Sequence, residues 1–174
     1  PKAGEKIKLP TLANTLRELA EHGKAGFYEG RIAEAIVDLI QSMGGFMTLD
    51  DLKNHYNTYD KPISVNYRGI DVWELPPNGQ GITTLLALNI LEEFELNSFD
   101  HLSTYYLHLL IEAMRLAFAD SRWYVADPEK VSVPVNELLS KDYARKRSAL
   151  ISFDKANLSL SHGDPINSSD TVYF

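Results

Sequence analysis

The sequence contains no cysteine in its 174 residues, which excludes disulfide bonds, thiolate catalysis and zinc sites built from thiolate ligands. It also lacks an apolar run long enough to cross a bilayer and a recognisable signal-peptide pattern. Basic residues are the scarcer charge, with 17 Lys and Arg against 24 Asp and Glu and a net charge of -7. Because phosphate binding needs a basic surface, this balance argues against a nucleic-acid partner. We therefore expect no nucleic-acid partner and no membrane segment in this chain.

The composition is that of a folded protein. Apolar residues make up 44% of the chain and charged residues 24%, and both values are typical of globular domains. A length of 174 residues corresponds to one ordinary domain or to part of a larger one, and it is sufficient to bury a core.

The first third of the chain has the pattern of short helices separated by glycines. A helix is predicted to begin at Thr11, with its apolar residues on one face, and to end at Gly23. A second helix over residues 32–43 should stop at Gly44-Gly45, where left-handed backbone geometry is easily adopted. The sequence Thr48-Leu49-Asp50-Asp51 has the pattern of a capping box and predicts the start of a third helix.

A change of pattern in the middle of the chain indicates a β-hairpin. Apolar and polar residues alternate over 63–67 and again over 70–75, with Arg68-Gly69 as the turn between them. The loop Asn78-Gly79-Gln80-Gly81 then leads into a helix predicted for residues 82–94. This loop could hold an anion at the helix start, but its glycines lack the spacing of known phosphate loops. Close packing of the helix start against the sheet is the favoured explanation.

The longest helix is predicted for residues 102–125, and most of its surface is apolar. We expect such a helix to lie in the middle of the structure, with layers packed on both sides. Beside its main apolar stripe runs a second stripe, formed by Leu107, Ile111, Met114 and Phe118.

A narrow polar line on this helix contains His108 and Glu112, which lie four residues apart on one face. That spacing can ligate a metal, but no third ligand follows at a known spacing. A structural network of His108, Glu112 and Arg115 is therefore favoured, because buried polar groups need partners. We expect no metal and no cofactor.

The end of the chain combines a polar segment with the start of a strand. Residues 153–169 show little periodicity, and we expect them to be exposed and flexible. The last four residues, 171–174, have the β-branched and aromatic composition of a strand. Thr171 stands at the junction, where its hydroxyl could be held beside a cleavable peptide bond. It could also be an ordinary strand residue, and the pattern alone favours this second interpretation.

Several motifs taken together resemble the gamma-glutamyltranspeptidase family, over nearly the whole chain from about residue 10. They occur in the order Gly26-Phe27-Tyr28-Glu29-Gly30, Gly44-Gly45-Phe46-Met47-Thr48-x-Asp50-Asp51-Leu52, Pro76-Pro77-Asn78-Gly79-Gln80-Gly81, Leu88-Asn89-Ile90-Leu91-Glu92 and His108-x-x-x-Glu112-Ala113-x-Arg115-x-Ala117-Phe118-Ala119-Asp120. The third of these is more similar to the divergent, acylase-like branch than to the best-known glutathione-degrading members.

The resemblance implies an N-terminal nucleophile hydrolase fold, a four-layered αββα sandwich of the α+β class. Residues 1–170 would be one partial domain, the helix-rich later part of a large subunit, and residues 171–174 would begin the first strand of a small subunit. The precursor in this family cleaves itself before a threonine, which becomes the catalytic nucleophile. By its position in the motif Thr171 resembles that nucleophile, and the cleaved bond would join Asp170 to Thr171.

The resemblance also implies the partners. The substrate would be a small γ-glutamyl amide of the glutathione type, with water or an amino acid or peptide as acceptor. The arginine that holds the substrate carboxylate in this family would lie upstream of Pro1, and the oxyanion-hole glycines downstream of Phe174. We therefore expect this chain to need the other parts of its precursor and to be inactive alone. The alternative is a non-catalytic structural or binding module derived from the same family.

Overall fold

The computed structural model describes residues 2–166. Asp170 and Thr171, which form the predicted cleavage position, lie outside this part of the chain. By its internal contacts the chain divides into two compact units, Pro1–Tyr59 and Asp60–Phe174.

The first unit consists of the four helices α1 (Pro10–His22), α2 (Ala25–Tyr28), α3 (Arg31–Ser42) and α4 (Leu49–Lys53). The predicted helix ends are confirmed, because α1 stops before Gly23 (φ 58°) and α3 is followed closely by Gly44 (φ 83°). The predicted capping box is also confirmed. The Thr48 hydroxyl accepts the Asp51 N–H, and the Asp51 carboxylate accepts the Thr48 N–H at 2.8 Å.

This first unit buries few side chains. Ile32, Ala33 and Val37 of α3 are its buried apolar residues within the described chain. Leu12 and Leu16, on the predicted apolar face of α1, are 51% and 55% exposed. The unit therefore leaves apolar helix surface exposed.

The second unit begins with the predicted hairpin. Strands β1 (Ile63–Tyr67) and β2 (Ile70–Glu74) pair antiparallel, with Val65 opposite Val72. The turn Arg68-Gly69 has φ values of 53° and 85°, and two positive φ values in succession are characteristic of the tight turns that match the twist of a hairpin.

Between the hairpin and residue 166 the structure contains four helices, namely α5 (Gly81–Glu92), α6 (Thr104–Tyr124), α7 (Val135–Leu138) and α8 (Lys141–Ser148), with a 3-10 turn at Leu96–Ser98. Helix α5 contacts α6, α8 and both strands, and most of its side chains are buried because it lies among these elements. Among the described residues the core consists of two apolar clusters, one around Leu109 and Leu116 and the other around Ile82 and Leu138. No helix within residues 2–166 combines the length and apolar character needed to span a membrane.

Helix α6 is packed on one face only within the described chain. Leu109 and Leu116 of its main stripe are fully buried, whereas Ile111 and Met114 of the second stripe are 57% and 40% exposed. The prediction of layers on both sides is thus met on one side only. The second stripe faces an open groove instead.

Candidate active-site region before the predicted cleavage position

The described residues that lead towards Asp170 and Thr171 form an irregular segment after α8, residues 151–166, called the tail segment below. It contains no helix or strand, as predicted, and more than half of its residues are exposed. Its backbone is nevertheless bonded at several points to side chains of α6 and α8. These bonds, rather than the cleavage position itself, give the geometry of the region.

A row of polar side chains on α6 faces the tail segment. The polar row consists of His108, Glu112, Asp120 and Tyr124, spaced by four, eight and four residues. Residues four apart are neighbours on the surface of an α-helix, and a row built from such steps winds gradually around the helix, so these four side chains form an inclined row along α6. Glu112 and Asp120 are 1% and 0% exposed, so each carboxylate requires bonding partners.

The first half of the polar row holds the beginning of the tail segment. His108 Nε2 donates a hydrogen bond to the carbonyl oxygen of Ser152 at 2.7 Å. Glu112 Oε2 accepts the backbone N–H of Asn157 at 3.0 Å, while its other oxygen pairs with the guanidinium of Arg115. The tail segment is thereby bonded to two successive turns of α6.

The second half of the polar row forms a buried clamp with Arg147 of α8. Asp120 Oδ2 accepts Arg147 Nε at 3.0 Å, and Asp120 Oδ1 accepts the Gly163 N–H at 2.8 Å. The Arg147 Nη2 donates to the carbonyl oxygen of Ser161 at 2.9 Å, and the Tyr124 hydroxyl donates to the carbonyl oxygen of Gly163 at 2.9 Å. Both charged groups of this clamp therefore bond the tail segment as well as each other.

The electrostatics of the clamp follow from its burial. Desolvation raises the pKa of the Asp120 carboxyl above its usual range, and the Gly163 N–H and the Arg147 guanidinium oppose this effect. The neighbouring Tyr143 hydroxyl is buried beside the Asp120 carboxylate without a well-formed hydrogen bond among the described residues. Burial, with a further contribution from the Asp120 charge, raises the pKa of Tyr143. Tyr143 is thus neutral at physiological pH.

The second stripe of α6 and the tail segment together line an apolar groove of about 820 Å³. Ile111, Met114 and Phe118 form its floor, and Leu160 and His162 of the tail segment form part of one wall. The His162 ring stacks on Trp123 with ring centroids 4.0 Å apart and 8° between the planes. The groove thus depends on the tail segment lying along α6.

The predicted network on α6 is found in part. Glu112 and Arg115 form the expected ion pair, but His108 bonds Ser152 rather than Glu112. Within residues 2–166 there is no group of three or more His, Asp or Glu side chains that could hold a metal ion.

The glycine-rich loop before α5 packs as favoured in the sequence interpretation. A Cβ atom on Gly81 would lie 2.6 Å from Glu74 Oε2 of the hairpin, so the helix start is pressed against the sheet. A carboxylate already at this position also disfavours an anion there.

Sequence reasoning missed the clamp residues Asp120, Tyr124, Arg147 and Gly163. The steps of four, eight and four residues from His108 through Glu112 to Asp120 and Tyr124 were a usable signal, because they place four polar groups in one inclined row along a mostly apolar helix. No local pattern indicates Arg147 or Gly163, since their contacts with Asp120 span 27 and 43 residues.

Comparison with known proteins identifies the relatives of this chain. A family model described as gamma-glutamyltranspeptidase matches residues 1–174. The chain belongs to the gamma-glutamyltranspeptidase family. The resemblance predicted from the motifs is thereby confirmed.

Individual relatives agree with this membership. The glutathione hydrolase-like YwrD proenzyme of Bacillus subtilis strain 168 is 40% identical over 153 residues, which cover 88% of this chain and 29% of the relative. The cephalosporin acylase from Bacillus halodurans is 42% identical, with a TM-score of 0.73 over 95% of this chain and 30% of the acylase chain. The Helicobacter pylori gamma-glutamyltranspeptidase is 31% identical, with a TM-score of 0.73 over 95% and 48% of the two chains.

The fold class predicted from the resemblance is confirmed as well. The chain has a partial N-terminal nucleophile hydrolase fold of the α+β class, of which the described residues supply helices and one hairpin. It spans less than a third of the curated relatives that it matches, 29% and 28% of the first two.

Proposed function

We propose that this chain is part of a self-processing γ-glutamyl hydrolase or transferase, with Thr171 as the nucleophile both of self-cleavage and of catalysis. The observation that carries the proposal is the family match, which extends through Thr171 to residue 174. Relatives of the chain bear the name glutathione hydrolase proenzyme. A name of that kind describes a precursor that must be processed.

The proposed self-cleavage uses the hydroxyl of Thr171 against the peptide bond before it. The hydroxyl oxygen attacks the carbonyl carbon of Asp170 and gives up its proton to a base, forming a tetrahedral intermediate. The carbon–nitrogen bond of Asp170-Thr171 then breaks, and the released nitrogen takes up a proton as the free α-amine. Water finally hydrolyses the ester, which leaves the Asp170 carboxylate and restores the Thr171 hydroxyl.

The same residue then acts on substrate. An ordinary α-amine has a pKa of about 7.7 to 8.0, so the new amine of Thr171 can accept the proton of its own hydroxyl near neutral pH. The hydroxyl attacks a γ-glutamyl amide, the amine product leaves, and an acyl-enzyme ester remains. Water or an acceptor amine releases the γ-glutamyl group, while hydrogen-bond donors stabilise the tetrahedral oxygen in each step.

The proposal assigns the remaining machinery to the rest of a longer precursor. Residues 1–170 would belong to its large subunit and residues 171–174 would begin its small subunit. The short span of the chain relative to its relatives supports this assignment, and so do the open apolar stripe on α6 and the thinly packed first unit. The chain alone is then expected to be inactive.

The direct test follows processing of the full-length precursor by intact-mass spectrometry. We expect two subunits whose masses correspond to cleavage between Asp170 and Thr171, and hydrolysis of a γ-glutamyl anilide that appears only after cleavage. Thr171→Ala should remain one uncut chain. Thr171→Ser should still be cut, because it keeps the hydroxyl, although more slowly than the wild type. A precursor that stays uncut, and that Thr171→Ala leaves unchanged, would support the non-catalytic alternative.

A further inference from the structure

We propose that the clamp formed by Asp120 and Tyr124 of the polar row with Arg147 is a positioning device for self-cleavage, which fixes the end of the tail segment and thereby the place of the Asp170-Thr171 bond. This inference rests on the function proposed above and adds the residues that control its first step. Asp120 and Arg147 are positioning residues in this scheme, because they act through the backbone of the tail segment.

The order of the contacts shows that the tail segment follows α6 in one direction. His108 bonds Ser152, Glu112 bonds Asn157, and Asp120 bonds Gly163. Each step along the helix corresponds to a step along the tail. At 1.5 Å per helical residue, the distance from the first anchor to the third is about 18 Å. The tail segment therefore lies in a defined register along α6.

The clamp ties the tail segment to both α6 and α8. A buried ion pair adds little net stability, because desolvation of both charges offsets their attraction. Here both members use further hydrogen-bonding groups on the tail segment, Asp120 on the Gly163 N–H and Arg147 on the Ser161 carbonyl. These contacts satisfy the hydrogen-bonding capacity that burial leaves on both charged groups, and they do so with backbone atoms of the tail segment. We assign the clamp to holding Ser161 and Gly163 in place.

The clamp lies close to the predicted bond along the sequence. Asp170 follows Gly163 by seven residues, and a chain of that length reaches at most about 25 Å when fully extended. The attack of Thr171 on Asp170 is local, but in the function proposed above the base and the oxyanion donors would come from other parts of the folded precursor. Because reaction rates are sensitive to displacements of about 1 Å from productive geometry, a fixed point upstream of the bond should determine how well the bond meets those groups.

The test inserts two glycines at either of two exposed positions of the tail segment in the full-length precursor. An insertion after Ile166 lies between the clamp and the bond. An insertion between Lys155 and Ala156 lies upstream of the clamp, and these residues are exposed like Ile166. We expect the insertion after Ile166 to slow self-cleavage at least tenfold and the upstream insertion to change it less than twofold, with equal melting temperatures.

A pair of substitutions, Asp120→Asn and Asp142→Asn, provides a second measurement. Asp120→Asn keeps an oxygen that can accept the Gly163 N–H but removes the charge that faces Arg147. Its matched control, Asp142→Asn, removes a carboxylate that pairs with Arg145 on the exposed side of α8. We expect slower cleavage for Asp120→Asn and an unchanged rate for Asp142→Asn, measured at a temperature at which both variants are folded by circular dichroism.

The outcomes separate this inference from the proposed function. If the precursor inserted after Ile166 is cut at the wild-type rate while Thr171→Ala stays uncut, the positioning role is overturned and the nucleophile assignment stands. Equal slowing of cleavage by both insertions also overturns the positioning role, because the effect then does not depend on whether the insertion separates the clamp from the predicted bond. A wild-type precursor that is never cut overturns both proposals.

Discussion

Gly163 lies where the tail segment crosses the buried side chains of α8. It has no positive φ, so conformational freedom does not explain its place in the chain. A Cβ atom there would lie 2.4 Å from the Tyr143 hydroxyl oxygen and 3.0 Å from Cδ of Arg147. Both neighbours are buried, at 4% exposure each, and cannot move away freely. The absence of a side chain is what allows the backbone to reach Asp120.

We therefore predict that Gly163→Ala destabilises the protein by about 1–3 kcal/mol, the usual range for overpacking a filled core. The melting temperature in a calorimetric scan is the measurement. Gly79→Ala is the matched control, because a Cβ at Gly79 would approach other atoms only to 3.8 Å, an ordinary contact distance. Addition of Tyr143→Phe to Gly163→Ala should restore part of the loss, since it removes the nearest atom. Equal melting temperatures for the two alanine variants would contradict the steric account.

At the scale of elements, Glu92 and Lys141 join α5, α8 and the hairpin. Glu92 Oε1 accepts the Arg68 N–H of the hairpin turn at 2.9 Å, and Glu92 Oε2 pairs with the Lys141 ammonium. The same ammonium donates to the Asn66 carbonyl and to Asn89 Oδ1, each at 2.7 Å. The Lys141 hydrogen bond, followed by that of the Arg68 N–H, lowers the pKa of Glu92. A single carboxylate thus connects three elements.

This arrangement predicts how stability depends on pH. Because the folded-state pKa of Glu92 is depressed, its contribution is fully present above the unfolded value of about 4.3 and is lost as the pH falls through the folded value. Glu92→Gln should lower the unfolding free energy at pH 7 by about 1 kcal/mol, and the difference from wild type should shrink below pH 4. Chemical denaturation across this pH range measures it, and Glu129→Gln, at an exposed position, is the control. A difference that stays constant down to pH 3 contradicts the assignment.

The elements themselves were largely predictable, whereas their contacts were not. Glycines and caps set the ends of α1, α3 and α4 because these signals act within one helical turn. The sequence signal for the hairpin turn, Arg68-Gly69, is equally local. The spacing of polar residues on α6 indicates that Glu112 and Asp120 need partners, but the tail segment has no periodicity that would identify it as the partner. That information lies in pairs of residues far apart in the chain, which only the folded packing brings together.

At the scale of the whole molecule, the open second stripe of α6 is a large apolar surface for one helix. Ile111 is 57% exposed and Trp123 is 66% exposed, and both line the apolar groove. Soluble proteins rarely leave contiguous apolar patches of this kind without a partner. The chain spans less than a third of its curated relatives, and we expect the remaining parts of the proposed precursor to cover this face.

The substitution Ile111→Asp should therefore act differently in the isolated chain and in the full-length precursor. In the isolated chain, Ile111→Asp replaces an exposed side chain, so we expect little loss of helix content and weaker binding of a hydrophobic dye. In the full-length precursor the aspartate would be buried without a partner, so we expect the melting temperature to fall by several degrees. Leu109→Ala is the reference, because Leu109 is fully buried in the chain itself and its truncation should cost about 2–5 kcal/mol in either context. An Ile111→Asp precursor as stable as wild type would mean that this face remains open in the assembled protein.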